Sequence, residues 1–218
     1  EKLMAGQKAD MVFTDPPYGI DLDTDWTKMT GNRRLRKIAG VKRKDIKGGK
    51  YNKVIGDTKE FDINYFLEEF KDIKEQFWFG GDYYAKELPQ GGQWMIWDKR
   101  LKEHFDKILG SPFEVIWSKF PHRKEIVRIL YAGLMGFKED TKKRIHPTQK
   151  PIELCKWFIE KFSKRGQNII DLFGGSGSTL IACEQLNRKC YMMEIDPIYT
   201  DVIIKRWKKL TNKTAKKL

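Results

Sequence analysis

The segment Asp15-Pro16-Pro17-Tyr18 places a carboxylate, a stiff backbone and an aromatic ring side by side. An amino group on a heteroaromatic ring is a poor nucleophile, because its lone pair is delocalised. A fixed carboxylate and a fixed backbone carbonyl that accept its two N–H bonds would localise that pair. Two prolines hold such acceptors still, and Tyr18 can stack on a planar base. A second group is the run Gly174-Gly175-Ser176-Gly177, with Glu194 about 20 residues downstream. Glycines let a ligand approach the backbone, a following helix offers free N–H groups, and a later carboxylate accepts from ribose hydroxyls. The run is not GxGxxG and lacks Gly-Lys-Ser/Thr, so a nucleoside ligand without a pyrophosphate fits better than a dinucleotide or ATP. Taken alone, the run is also compatible with a structural turn.

The elements that must position these groups follow from the apolar pattern. Residues 9–14 read as a short strand, stopped by the proline pair. Ile63, Phe66, Leu67, Phe70 and Ile73 are spaced as an amphipathic helix. Residues 77–80 and 94–97 are apolar runs of strand length. Residues 113–119 and 125–131 predict a hairpin with a basic tip at Pro121-His122-Arg123-Lys124. Pro151 can open a helix whose face carries Leu154, Trp157, Phe158, Ile159 and Phe162. Residues 168–173 read as a buried strand that runs into the glycine loop and a helix; 190–195 is a further strand and 199–210 a further helix. Alternating strands and helices predict an α/β fold with a mainly parallel sheet and an antiparallel hairpin.

The 218 residues carry a formal charge of +13, with 40% hydrophobic and 33% charged residues. Seven tryptophans and 13 phenylalanines exclude a disordered chain. Residues 31–53 hold ten Lys/Arg and one acid, and residues 205–218 seven Lys/Arg and none, which leaves −3 on the remainder. Two basic blocks on a slightly acidic body suit either phosphate contact or a solvated loop and helix end. Cys155, Cys183 and Cys190 form no CxxC pair, and His104, His122 and His146 have no ligand spacing, so we expect no disulfide framework and no metal site. No apolar run is long enough to span a membrane. A reducing, cytoplasmic setting fits the cysteines. The chain opens with Glu1 rather than Met, which points to a fragment of a longer protein.

Thr14-Asp15-Pro16-Pro17-Tyr18, His146-Pro147-Thr148-Gln149-Lys150-Pro151 and Asp171-Leu172-Phe173-Gly174-Gly175-Ser176-Gly177 together resemble S-adenosylmethionine-dependent DNA amino-methyltransferases. The catalytic motif precedes the cofactor motif, as in the beta, circularly permuted group. The resemblance implies one Rossmann-like methyltransferase domain over 1–218, with helices on both faces of the sheet, a catalytic half at 1–135, a cofactor half at 145–210 and a basic, DNA-contacting insertion at about 25–57. It implies that Asp15 and the Pro16 carbonyl, held by Pro17, bind the target amino group, while Tyr18 stacks on the extruded base. Phe173, Gly175 and Gly177 would surround the cofactor, Asp171 would face its ammonium and Glu194 its ribose. His146, Thr148 and Lys150 would pack beside it, although Lys150 also suits a surface or helix-end position. Asp196 suits a helix cap before Pro197. DNA contact falls to Arg33, Arg34, Arg36 and Lys37, with His122 and Arg123 at the expected tip; the roughly 25 residues between the Tyr131 strand region and the cofactor strand are too few for the recognition domain that permuted relatives often carry there.

Relatives with Asp at the first position of the tetrapeptide mostly act on adenine N6, and those acting on cytosine N4 usually carry Ser. The expectation is therefore adenine, with cytosine N4 or an inactive DNA-binding module as alternatives. No Cys follows a Pro, unlike in 5-methylcytosine enzymes. In relatives a strand ending in Gly-Asp lies upstream of the catalytic strand. About ten residues precede Val12, so we expect a sheet one strand short and an incomplete adenine pocket. The resemblance leaves open a homodimer, an upstream domain and a restriction partner.

Overall fold

The computed structural model describes residues 3–27, 49–59, 61–100, 111–131 and 144–217. Its centre is strand β1 (Met11–Thr14), four residues that are all buried. A strand covered on both faces must be apolar throughout, as Met11-Val12-Phe13 is. Met11 and Phe13 point to one face and Val12 to the other.

The sheet has seven strands. After β1 come β2 (Glu75–Phe79), β3 (Gln93–Asp98), β4 (Phe113–Ser118), β5 (Ile126–Arg128), β6 (Asn168–Asp171) and β7 (Lys189–Met192). Their spatial order is β5-β3-β4-β2-β1-β6-β7. β1 pairs in parallel with β2 and β6, β6 with β7, and β3 with β5. β4 is antiparallel to both of its neighbours, β2 and β3. Among the described residues no strand lies outside β7.

The expected hairpin is corrected here. The 113–119 and 125–131 runs do form strands, but they do not pair with each other. β4 already has a neighbour on each side, so β5 takes the free edge of β3, with Ile96 beside Ile126. The antiparallel partner of β4 in chain order is β3, in six-residue register from Gln93–Ser118 to Asp98–Phe113.

Helix α1 (Ile63–Glu69) covers one face of the sheet, and α2 (Ile152–Phe162) and α3 (Ser178–Gln185) cover the other; α4 (Pro197–Thr211) packs on α3. α1 is shorter than its spacing predicts, yet Phe66, Leu67, Phe70 and Ile73 all reach the same cluster with Val12 and Trp78. Buried Gln76 fixes that end, donating to the Phe70 and Ile73 carbonyls at 2.6 and 2.9 Å. On the opposite face Phe13, Phe77, Phe79 and Phe158 pack ring against ring at 5.3–6.0 Å. Each such ring is worth about 1.5–3 kcal/mol over exposure. Asp62 and Asp196 cap α1 and α4 by accepting from Asn64 N–H and Ile198 N–H, which confirms the cap expected for Asp196. No described helix is long and apolar enough to cross a membrane.

Candidate active site

β1 leads through α1 to β2 on one side, while β6 leads through α3 to β7 on the other. The chain therefore winds outward in both directions from the β1–β6 pair. In open parallel sheets ligands bind at the carboxyl ends of strands where the winding reverses. The two groups with chemical potential stand at that point: Asp15-Pro16-Pro17-Tyr18 follows β1, and Phe173 to Gly177 follows β6. Thr14 ties the two ends together. Its hydroxyl donates to Asp171 Oδ1 at 2.9 Å and accepts from Leu172 N–H at 3.1 Å. A cavity of about 1200 Å³ opens here, lined by Asp15, Pro16, Pro17, Tyr18, His146, Thr148, Lys150, Asp171, Phe173, Gly175 and Glu194.

Asp15 is surrounded by donors. Tyr18 OH donates to its Oδ1 at 2.5 Å, and Lys150 Nζ donates to its Oδ2. Lys150 also lies 3.2 Å from Glu114 Oε2, and Lys99 lies 2.6 Å from Glu114 Oε1. Burial raises the Asp15 carboxyl above its usual range, and Lys150 opposes that rise. Burial would raise Glu114 too, but Lys150 and Lys99 outweigh it and hold this carboxyl below its usual range. Burial and the adjacent Asp15 push the Tyr18 hydroxyl well up. Lys150 is thus not a surface residue; its ammonium faces the Asp15 and Glu114 carboxylates.

Two further residues hold the Tyr18 loop. Asp57, buried, accepts from the backbone N–H groups of Tyr18 (3.0 Å), Gly19 (2.9 Å), Ile20 (3.4 Å) and Leu22 (2.9 Å). The Tyr18 ring lies so close to Gly80 that a Cβ there would meet Cε1 at 2.1 Å. Tyr83 stacks on Tyr18 at 4.6 Å and 9°. The ring expected to stack on a base is already stacked on a tyrosine.

The second half of the site is built from backbone. Gly175 N–H donates to Glu194 Oε2 at 2.6 Å, and Asp196 N–H donates to Oε1 at 2.9 Å, so Glu194 ties the loop to the end of β7. Gly177 does not line the cavity. It caps α3 with φ +81°, and a Cβ there would lie 2.9 Å from Ile203 Cγ1. Phe173 packs edge-on against Phe61 at 5.6 Å. His146 is buried beside Gly175, accepts from Thr148 N–H at Nδ1, and meets Tyr199 at 4.2 Å. Burial, with Lys150 and Arg144 nearby, lowers His146 to about 3, so it is neutral at pH 7. Asp171 is raised to about 7, chiefly by burial, against hydrogen bonds from Thr179, Thr14 and Phe173 N–H. Its described partners are hydroxyls and an amide; a cation placed there would restore its ionisation.

The expected DNA contacts separate. Arg33, Arg34, Arg36 and Lys37 lie outside the described residues. His122 lies at the opposite end of the sheet from Asp15. Its Nε2 lies 2.7 Å from Glu75 Oε2, and Glu75 pairs with Met11 at the start of β1, whereas Asp15 follows the end of β1. Arg123 follows His122 in the same connection. The cause is the antiparallel run of β4, which carries its C-terminal end away from the cavity. Sequence reasoning missed Glu114, Lys99, Asp57, Tyr83 and Thr14. Only Thr14, adjoining the motif, and Asp57, in a Gly-Asp turn, carry any local signal.

A doubly wound sheet with the glycine loop and the Asp15–Tyr18 segment at one switch point is an arrangement of Rossmann type. The N6/N4 DNA methylase family model matches residues 97–206, just over half of the sequence, and the chain belongs to that family. The type II methyltransferase M.HinfI of Haemophilus influenzae is 22% identical over 96% of this chain and 66% of its own length. M.HindIII, also of H. influenzae, is 46% identical over 46 residues, which are 21% of this chain and 15% of that protein. The chain thus covers less than two thirds of either relative. Among solved structures, PvuII DNA methyltransferase (cytosine-N4-specific) gives a TM-score of 0.55 at 15% identity, covering 97% of this chain and 88% of that one. The M1.HpyAVI–SAM complex gives 0.51 at 16%, covering 94% and 91%. These likenesses establish the fold.

Proposed function

We propose that this chain transfers a methyl group from S-adenosylmethionine to the exocyclic N6 amino group of adenine in DNA. The observation that carries this reading is the meeting of Asp15–Tyr18 and the 173–177 loop at one cavity, from adjacent parallel strands tied by Thr14. The residues fit the cofactor: the buried Asp171 carboxyl is suited to an ammonium, and the loop offers backbone beside neutral His146. When bound, S-adenosylmethionine supplies a methyl group activated by its sulfonium.

The chain's own residues then position the target. An amino group inside a duplex cannot be reached, so the base is extruded. Asp15 and the Pro16 carbonyl accept the two amino N–H bonds and localise the lone pair; the gain comes from positioning. The preference for adenine rests on Asp15 standing where cytosine-N4 relatives usually carry Ser. The basic residues Arg33, Arg34, Arg36 and Lys37, just downstream of the catalytic loop, neutralise backbone phosphates.

DNA incubated with the protein and methyl-labelled cofactor, then sequenced for modified bases, tests this. N6-methyladenine at a fixed sequence is the expected product. N4-methylcytosine overturns the base assignment, and DNA binding without label leaves only a binding module.

A further inference from the structure

On the methyltransferase reading above, the Asp15 carboxylate must accept hydrogen bonds from the target amino group. Both its oxygens are already taken, Oδ1 by Tyr18 OH and Oδ2 by the Lys150 ammonium. Each oxygen can accept a second hydrogen bond, so a base amino group must either share an oxygen with its present donor or displace that donor. Lys150 is largely buried, with its ammonium 5.2 Å from the Phe79 ring centre, so withdrawal without a second acceptor would strand a charge against an apolar wall. The second acceptor is present: Glu114 Oε2 lies 3.2 Å from Lys150 Nζ. Lys99, at the end of β3, occupies the other Glu114 oxygen at 2.6 Å and anchors that carboxylate. Two carboxylates and two ammoniums from four separate parts of the chain thus form one part-buried, charge-neutral row.

We propose that Glu114 is a positioning residue that acts through Lys150: it retains the ammonium when the target amino group replaces it on Asp15. The row is then a relay of hydrogen bonds in which no charge is ever left alone. Lys150 pivots from one carboxylate towards the other, and Asp15 stays ionised beside it.

Charge in this row is sensed by its surroundings, so the proposal has a pH signature. Asp15 faces Lys150, Glu114 and Tyr18; Asp171, Tyr83 and Tyr84 feel the row's carboxylates, and His146 feels Lys150. An ionised Asp15 accepts an amino N–H more strongly than a protonated one, and the Glu114 charge makes that ionisation harder. Glu114→Gln removes this charge together with the second acceptor. Lys99→Met removes the anchor instead and leaves the row net negative.

The test measures methyl incorporation into DNA by the wild-type chain, Glu114→Gln, Glu114→Asp and Lys99→Met from about pH 5 to 9, with cofactor affinity by calorimetry and melting temperature alongside. Glu114→Gln is expected to lower the kcat/KM plateau for DNA at least about tenfold and to move its acid limb to lower pH. Glu114→Asp should recover part of the plateau, and Lys99→Met should move the acid limb the opposite way. Cofactor affinity should stay within about threefold throughout. An unmoved acid limb in both Glu114→Gln and Lys99→Met overturns the proposal, as does a loss of cofactor affinity equal to the loss of activity. If Glu114→Gln fails to fold, the direction of the Lys99→Met shift decides alone. A wild-type chain that labels no DNA overturns the methyltransferase reading itself; an active wild type matched by Glu114→Gln overturns only the role of Glu114.

Discussion

Around Asp15, the contacts are charged side chains brought from distant parts of the chain: Lys150, Glu114 and Lys99. Around Gly175, they are backbone amides and near neighbours: Glu194 to Gly175 N–H, Thr148 to His146, Gly177 against Ile203. One half of the cavity is held by charge, the other by shape. On the proposed function, the difference matches what each half would do. An acceptor that exchanges one hydrogen-bond donor for another needs partners that can move, whereas a cradle for a nucleoside needs a backbone that does not. The first half should therefore respond to charge and pH, and the second, its buried Asp171 carboxyl apart, to volume and backbone strain.

The strongest way to break this contrast is Asp15→Ala. Methyl incorporation should fall by about 10²–10³-fold, the cost of losing one preorganised polar group at a reacting centre. Calorimetry should show cofactor affinity nearly unchanged; a parallel loss of affinity would mean that the halves are not separable. The next effect is on pH. Asp171 binds its proton more tightly in the fold, at about 7, than its usual 3.8. The folded chain therefore loses stability from this group as pH rises from about 4 to 7, and the penalty is complete above 7. A ligand ammonium that pairs with the carboxylate relieves it. Cofactor affinity should accordingly rise about tenfold per pH unit from about pH 5 to 7 and then level off. In Asp171→Asn the slope should vanish; a persisting slope would place the titrating group elsewhere.

Shape gives the smaller effects. Gly177→Ala puts a Cβ 2.9 Å from Ile203 Cγ1 at a φ of +81°. It should cost about 2 kcal/mol in denaturant unfolding, with the catalytic pH profile unmoved. Removing the α4 cap by Asp196→Ala should cost about 1 kcal/mol. That change should leave the acid limb of activity untouched, and a shift there would mean that Asp196 also acts on the Asp15 row.

Sequence and structure agree where the determinants are local. Pro16-Pro17 stops a strand wherever it occurs, the glycine loop sits between an apolar run and a helix, and Asp196 caps because it precedes Pro197. The disagreements lie where partners are chosen at a distance. Residues 125–131 have strand character, but only the occupancy of both β4 edges sends β5 to β3. Glu114 alternates with apolar residues like any half-exposed strand residue; nothing near it in sequence reveals that Lys150 and Lys99 converge on it. His122 sits in a basic turn that suggests a DNA contact, and the direction of β4 takes it to the far end of the sheet. Motif residues announce themselves because their neighbours share the task, and Glu114 and Asp57 do not because theirs are supplied by folding.

Asp57 has one more consequence. The chain leaves the catalytic loop at Tyr18 to Leu22 and returns to the same carboxylate at 57. Just beyond, Trp26 N–H bonds the Gly49 carbonyl and Tyr51 N–H the Thr24 carbonyl, at 3.0 and 3.2 Å. The excursion is closed at its neck, and its two ends are fixed whatever lies between them. Doubling the length of such a closed segment costs only about 0.6 kcal/mol in chain entropy. New lengths and new charge patterns can therefore be spliced in beyond Trp26 while Pro16 and Tyr18 keep their places. A lineage can thus change what the protein touches without changing the chemistry that it performs.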